Sequence, residues 1–159
     1  MLPKINKYLF KSIYWLTALF SFLFFIMVCL NVFTRYVLKT PILVSIELSR
    51  IFFVWSCFFA AGITLYKQGH IAISFITDLI PSRGRRMIGF ITEALTVVFF
   101  TGIHAWSVEV VVKIWKSEFP VLGISQSWLY VPLALISFVM LLFSIERMFN
   151  VLKTTHTQI

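Results

Sequence analysis

An uncharged, strongly apolar stretch near the start of the sequence, residues 12–34, constrains the fold more than any other feature. It contains 23 consecutive positions without Asp, Glu, Lys or Arg. As an α-helix such a run measures about 35 Å, whereas the hydrocarbon core of a bilayer is about 30 Å thick. The stretch therefore predicts a helix that crosses a membrane.

Three further segments are largely apolar, and the composition agrees with this pattern. The chain is 60% hydrophobic and only 13% charged, with a mean hydropathy of +0.94, while soluble domains carry about 25% charged residues. We predict an all-α integral membrane protein in which one four-helix domain occupies all 159 residues. The spans are predicted at residues 12–34, 41–66, 87–112 and 128–145.

The distribution of basic residues predicts the orientation of the spans. Nine Lys and Arg residues lie on the side that holds both termini, and four lie on the other side. The first group is Lys4, Lys7, Lys11, Lys67, Arg83, Arg85, Arg86, Arg147 and Lys153, and the second is Arg35, Lys39, Lys113 and Lys116. Cytoplasmic segments of membrane proteins carry the excess of basic residues. Both termini are therefore expected in the cytoplasm.

The connection between the second and third spans has a helical pattern of its own. From residue 70 to residue 82 the polar side chains fall within one arc of about 140°, and apolar side chains fill most of the remainder. This pattern predicts a short amphipathic helix that lies in the cytoplasmic interface. The alternative is a loop whose apolar residues cap the helical bundle.

Two charged residues lie inside the second span, where a charge needs a partner, a water path or a route to the headgroups. Glu47 and Arg50 are three positions apart, so they share one face of a helix and can pair. We interpret them as a charge pair that docks this helix against another helix. An ion-binding or coupling site is the alternative, although a carboxylate paired with Arg is a poor cation ligand.

The third span contains Glu93 and His104, which are eleven positions apart and lie on the same helical face. A proton relay can use such a face. However, Glu93 is only about two turns from the cytoplasmic end. It can instead reach water or pair with Arg85, Arg86 or a basic residue of another chain, and we favour this structural interpretation.

Several classes of function lack the residues that they need. Cys29 and Cys57 lie inside apolar runs, without a Cys-x-x-Cys motif or metal-ligand spacing. Only His104 is available within the spans as a haem ligand, and the sequence has no phosphate-binding glycine motif. The net charge of +8 comes from residues that flank the spans and not from a basic stripe for nucleic acid. We therefore expect no catalytic, metal, cofactor or substrate site in this chain, and no nucleic-acid partner.

Motifs along most of the chain resemble one family of transport proteins. They read Asn-Val-Phe-Thr-Arg-Tyr-Val-Leu at residues 31–38, Glu-Leu-Ser-Arg at 47–50, Phe-Val-Trp at 53–55, Gly-His-Ile at 69–71, Leu-Gly-Ile at 122–124 and Glu-Arg at 146–147. In their order and in the placement of charges they resemble the small, DctQ-type membrane subunit of tripartite ATP-independent periplasmic (TRAP) transporters. The resemblance extends over residues 12–150.

The resemblance implies a division of labour among three proteins. A soluble periplasmic protein captures an organic acid, such as a dicarboxylate, sialic acid or another sugar acid. A large multi-span permease subunit carries the substrate and sodium sites. The small subunit, in contact with membrane lipids of the bacterial inner membrane, braces the large subunit as a scaffold and supplies part of the periplasmic docking surface.

Two sets of residues are candidates for these roles. The set expected to fix the structure or to contact the large subunit is Glu47, Arg50, Arg35, Tyr36, Trp55 and Glu93. The set expected to dock the periplasmic protein is Lys113, Lys116 and Glu118. The rival functions are a small self-assembling four-helix transporter or channel, and a membrane redox subunit. The first rival relies on a carboxylate in span one, which this sequence lacks.

Overall fold

The computed structural model describes residues 2–40, 42–68 and 82–153. Four long α-helices follow one another in this part of the chain, which contains no extended strand. They are α1 (Leu2–Tyr36), α2 (Leu43–Gln68), α3 (Ser82–Ile114) and α4 (Val131–Lys153), and a 3-10 helix (Gln126–Leu129) precedes α4. All four are long and apolar enough to cross a membrane, which confirms the prediction of four spanning helices.

The ends of the observed helices differ from those of the predicted spans, because hydropathy marks only the part of a helix that lies in hydrocarbon. α1 begins ten residues before the predicted span, with Pro3 in its first turn, where proline is tolerated. α4 begins three residues later than predicted, because the 3-10 helix takes up residues 126–129. The amphipathic helix predicted at residues 70–82 lies outside the described residues, apart from Ser82, which begins α3.

Two helical hairpins make up the described structure. α1 packs along α2, as the short connection between them predicts, and α3 packs along α4. Contacts between α2 and α4 join the two hairpins. The core lies between α1, α2 and α4, and its buried residues are Ile13, Phe59, Ile136, Met140 and Phe143. α3 contributes Phe100 to the edge of this core.

The close approach of α2 and α4 depends on Gly62. A Cβ atom at this position would lie 2.5 Å from Cδ1 of Ile136 and 2.9 Å from its Cγ1, well inside van der Waals contact. Small residues at such crossings let membrane helices pack with their backbones close together. Gly62 therefore leaves room for the Ile136 side chain, which would have to move if a Cβ atom were present.

The helices differ in how much of their surface the chain itself covers. None of the most apolar stretch of α1 is buried and only 6% of that of α3, compared with 33% for α4. Phe22 and Phe25 on α1, like Val98 and Trp106 on α3, are more than half exposed. In a membrane such faces contact lipid or the helices of another protein.

The connections between the helices define two ends of the molecule. The described residues of the α1–α2 turn (37–40 and 42) and the α3–α4 loop (residues 115–130) lie at one end, which we call the loop end. At the other end, the terminus end, Asn6 near the start of α1 contacts Glu146 near the end of α4. In the α1–α2 turn Lys39 adopts a left-handed backbone conformation, with φ 54°, and the chain reverses there.

Candidate functional site

The α3–α4 loop is folded back on itself by its own backbone. The Phe119 amide donates to the Ile124 carbonyl at 2.8 Å, and the Gly123 amide donates to the Phe119 carbonyl at 2.9 Å. Gly123 has φ 63°, a conformation that glycine adopts without steric cost. The Gln126 amide closes the wider turn by donating to the Ser117 carbonyl at 2.7 Å. The loop therefore has a defined shape before anything binds it.

Glu47 fastens this loop to α2. Its side chain is buried, and its two carboxylate oxygens accept hydrogen bonds from successive backbone amides of the loop. Oε1 accepts from the Val121 N–H at 3.3 Å, and Oε2 accepts from the Leu122 N–H at 2.8 Å. Hydrogen bonds from neutral donors to an ionised acceptor are about twice as strong as neutral ones. Glu47 thus links the first hairpin to the second at the loop end.

The predicted pairing of Glu47 with Arg50 is not what the structure shows. Arg50 is exposed, and within the described residues no hydrogen bond or ion pair holds its guanidinium. Side chains three positions apart on an α-helix differ in direction by about 60° around the helix axis. This offset is enough to turn Glu47 toward the α3–α4 loop and Arg50 toward the outside.

Trp55 makes a second connection between α2 and the second hairpin. Its indole Nε1 donates to the Trp128 carbonyl at 2.8 Å, and the two indole rings stack with centroids 6.0 Å apart. From the other side, the buried Ser127 hydroxyl donates to the Val111 carbonyl at 2.8 Å. The 3-10 helix is therefore held between α2 and α3. Trp55, expected at an interface, makes this contact within the chain itself.

The residues predicted for periplasmic docking all lie at the loop end. Lys113 is in the last turn of α3 and pairs with Glu109 at 2.6 Å, and both side chains are largely exposed. Lys116 and Glu118 are exposed in the α3–α4 loop. Across the same end, Arg35 and Tyr36 finish α1, with the Arg35 guanidinium carbon 5.7 Å from the Tyr36 ring centroid. Of these charges, those of Lys116 and Glu118 belong to the loop that Glu47 holds, and that of Lys113 lies just before it in the sequence.

At the terminus end Glu93 pairs with Arg147, which was not among its predicted partners. Its carboxylate lies 3.6 Å from Nη1 of Arg147 on α4, and both side chains are largely buried. Nη2 of Arg147 donates to the Leu65 carbonyl on α2. One guanidinium therefore joins α2, α3 and α4. Arg147 was visible in the sequence as the charged end of span four, but only the antiparallel packing of α3 and α4 brings it level with Glu93.

Asn6 is a further anchor at this end that the sequence analysis missed. It is only 1% exposed, and its side-chain amide donates to the Glu146 carboxylate and, at 3.4 Å, to the Leu142 carbonyl. Asn6 precedes the predicted first span, so hydropathy gave no reason to place it among helix contacts. Glu146 and Arg147 are adjacent on α4 and hold different neighbours.

His104 has a partner on α4. Its Nδ1 lies 3.1 Å from the Ala134 carbonyl oxygen and 3.2 Å from the Ser137 hydroxyl. Because a carbonyl only accepts hydrogen bonds, Nδ1 carries the proton in the contact with Ala134. Glu93 lies eleven residues away, about 16 Å along the helix axis. His104 thus serves to fix α3 against α4, and no direct contact with Glu93 is geometrically available to it.

Four apolar helices tied together at both ends define a multi-pass membrane protein, and its described residues contain no group of three potential metal ligands. The chain matches the family described as tripartite ATP-independent periplasmic transporters, DctQ component, over residues 24–154. It therefore belongs to this family, and it is a transport component and not an enzyme.

The names of similar proteins agree with this family. The sialic acid TRAP transporter small permease protein SiaQ of Vibrio cholerae is 28% identical over 120 residues, which cover 76% of this chain and 69% of SiaQ. A putative TRAP transporter small permease protein of Haemophilus influenzae is 27% identical over 150 residues, which cover 94% and 89% of the two chains. The sialic acid TRAP transporter permease protein SiaT of Haemophilus influenzae is 27% identical over 139 residues, or 85% of this chain but 22% of SiaT.

Proposed function

We propose that this chain is the small, non-catalytic membrane subunit of a sodium-driven, three-part uptake transporter for an organic acid. It braces the large permease subunit as a fixed scaffold and helps to dock a periplasmic substrate-binding protein. The observation that supports the scaffold role is that the ionisable side chains that point inward hold the helices of this chain together. Glu47, Glu93 and Arg147 all bind partners within the chain and tie its helices together.

The family and its named relatives support a large permease as the partner. SiaT is a permease more than four times the length of the region that it shares with this chain, since that region covers 22% of it. A segment similar to this chain is thus found within a longer permease polypeptide. By analogy, this chain acts beside a large permease subunit, and we assign the substrate path and the sodium sites to that subunit. No cofactor is required of the small subunit.

The same comparison supports the proposed substrate class. Two of the relatives are named for sialic acid. Sialic acid is a carboxylate-bearing sugar, and we propose it together with dicarboxylates and other sugar acids as the substrates of the complete transporter. The small subunit does not distinguish among them, because its inward-turned charged side chains, Glu47, Glu93 and Arg147, bind partners within the chain.

The docking role is supported by the defined shape of the α3–α4 loop and by the exposed charges around it. This role requires the loop end to face the periplasm of a bacterial inner membrane, with both termini in the cytoplasm. The excess of basic residues on the terminus side supports this orientation. A cysteine introduced at Ile159, in a chain with Cys29→Ser and Cys57→Ser, tests it directly. We expect no labelling by an impermeant thiol reagent in intact cells, and labelling from outside contradicts the topology.

Reconstitution tests the function. Proteoliposomes with the large subunit, the binding protein and a sodium gradient are prepared with and without this chain, and uptake of a radiolabelled acid is measured. We expect uptake to be lost without this chain and binding of the acid to the isolated chain to be undetectable by calorimetry. Equal uptake without it removes the scaffold role, and binding by the isolated chain removes the helper role.

A further inference from the structure

One face of α2 points away from the core and differs from the other exposed helix faces. Its residues recur at steps of three or four, which places them along one stripe of the helix. We call it the outward stripe, and it consists of Ile46, Arg50, Phe53, Cys57, Ala61 and Thr64, all of which are exposed. Phe59, the α2 residue in the buried core, lies on the opposite face.

Arg50 is the residue that demands an explanation. It lies seven residues after the start of α2, about 10 Å along the axis and inside the apolar segment that can span the membrane. A charged side chain at such a depth is stable only beside an opposite charge, water or headgroups. Glu47, the nearest carboxylate along the helix, is already bound to the α3–α4 loop. The described part of this chain supplies no other partner, so water, headgroups or an anion from outside the chain must stabilise the charge.

The residues deeper on the stripe show what kind of molecule brings that anion. Cys57 and Ala61 lie about two and three turns below Arg50 and have small side chains, and Phe53 stands between them and Arg50. Small residues let a second helix approach closely. A lipid phosphate satisfies Arg50 alone, whereas a helix with a carboxylate near its periplasmic end satisfies the charge and fills the stripe below it.

We propose that the outward stripe of α2 is the docking site for a helix of the large permease subunit, and that Arg50 pairs with a carboxylate on that helix. This inference rests on the proposed function and adds to it the face and the charge through which the two subunits meet. It also separates Arg50 from Glu47. Arg50 secures the partner, while Glu47 fastens the α3–α4 loop of its own chain to α2.

The contribution of the Arg50 charge pair to binding is tested by the amount of large subunit that co-purifies with each variant. The removal of one member of a buried interfacial pair weakens binding about 30-fold or more. We therefore expect Arg50→Gln to lose most of the large subunit, and Arg50→Lys to retain an intermediate amount because the positive charge persists. Lys11→Gln, which removes an exposed cation from α1, is the matched control and should behave as wild type. Undiminished retention of the large subunit by Arg50→Gln overturns the inference.

Photo-crosslinking tests the face independently of any change in stability. A benzophenone amino acid replaces Phe53 in the otherwise native complex, and Val98 on α3 in the control. We expect position 53 to crosslink to the large subunit more strongly than position 98, and the labelled helix to contain an Asp or Glu. Exchange of that acidic residue for Arg should restore the complex with Arg50→Glu. Adducts at position 53 to phospholipid, or to a second copy of this chain, contradict the inference. Failure of the wild-type chain to bind the large subunit contradicts the proposed function instead.

Discussion

The two ends of the molecule are both held by buried polar side chains, yet they hold different things. At the loop end a carboxylate binds backbone amides, through Glu47 and the N–H groups of Val121 and Leu122. At the terminus end side chains bind across helices, through Glu93 with Arg147 and Asn6 with Glu146. The first arrangement fastens a loop to a helix, and the second fixes the relative positions of helices. The loop end thus presents a loop anchored to α2, whereas the terminus end holds three helices together through Arg147.

The largest effect is expected at the terminus end. Arg147→Met removes the guanidinium that faces the buried Glu93 carboxylate, and breaking a buried ion pair commonly costs about 3–5 kcal/mol. We expect the free energy of unfolding in detergent, measured by titration with dodecyl sulfate, to fall by such an amount. Glu93→Gln combined with Arg147→Met should recover part of it, because both members of the ion pair are then neutral.

The control for this prediction lies at the loop end of α3. Lys113→Met breaks the ion pair with Glu109, in which both side chains are largely exposed. Exposed pairs contribute little to stability. The unfolding transition of Lys113→Met should therefore match that of the wild type, and equal losses in Arg147→Met and Lys113→Met would erase the distinction between the two ends.

A smaller and more local effect is expected when Glu47 is removed. Glu47→Ala takes away the acceptor of two loop amides, of which only the Leu122 N–H, at 2.8 Å, is at a normal hydrogen-bond distance, so we expect the loss of about one hydrogen bond to a charged group, or about 1.5–3 kcal/mol. Hydrogen exchange should become faster at Val121 and Leu122 but not near Arg147. Glu47→Gln keeps one acceptor oxygen and should give an intermediate rate.

Arg50 sharpens the test of Glu47. Arg50→Gln should leave the exchange rates of the loop amides unchanged, because Arg50 points outward and does not contact the loop. If Arg50→Gln also makes hydrogen exchange faster at Val121 and Leu122, then Glu47 and Arg50 act as the pair that their spacing predicts. Glu118→Ala, an exposed substitution in the same loop, is the control for the exchange measurement.

Between the two ends, Gly62 and Gly102 form a matched pair. Gly62→Ala places a Cβ atom 2.5 Å from Ile136, and such overpacking typically costs about 1–3 kcal/mol. Gly102→Ala meets no atom within 4 Å and replaces a poor helix former, so it should be neutral or stabilising by up to about 1 kcal/mol. Thermal unfolding of both variants in detergent measures the difference. A destabilised Gly102→Ala would mean that α3 packs more tightly than the structure shows.

The smallest effect is expected for His104. Loss of its hydrogen bond to the Ala134 carbonyl should cost about 0.5–1.5 kcal/mol. His104→Gln should therefore lower stability slightly and leave the dependence of uptake on pH unchanged in reconstituted transporters. A shifted pH profile at normal stability would restore the proton path that the spacing of Glu93 and His104 permits.

Part of the candidate site could be read from the sequence, because burying a charge in a membrane is costly. The presence of Glu47, Arg50 and Glu93 inside apolar segments was enough to single them out. Their partners were not predictable in the same way. The three-residue spacing of Glu47 and Arg50 allows a pair, but backbone amides of a distant loop compete for the carboxylate and bind it. Asn6 gave no signal, since polar residues before a span are common.

The sequence by itself determined the number of helices, their approximate positions and the hairpin of the first two, because bilayer thickness sets the length of an apolar run and a short connection limits reach. Only the tertiary structure decided which face of each helix turns inward, and so which partner each charge binds. The inward face of each helix depends on the rotation and the axial position at which neighbouring helices pack. The contact of Gly62 with the Ile136 side chain is one example. The spacing of residues along a helix does not depend on how the helix is rotated about its axis. It therefore cannot predict that Glu47 binds the loop, that Arg147 lies beside Glu93 or that Arg50 points outward.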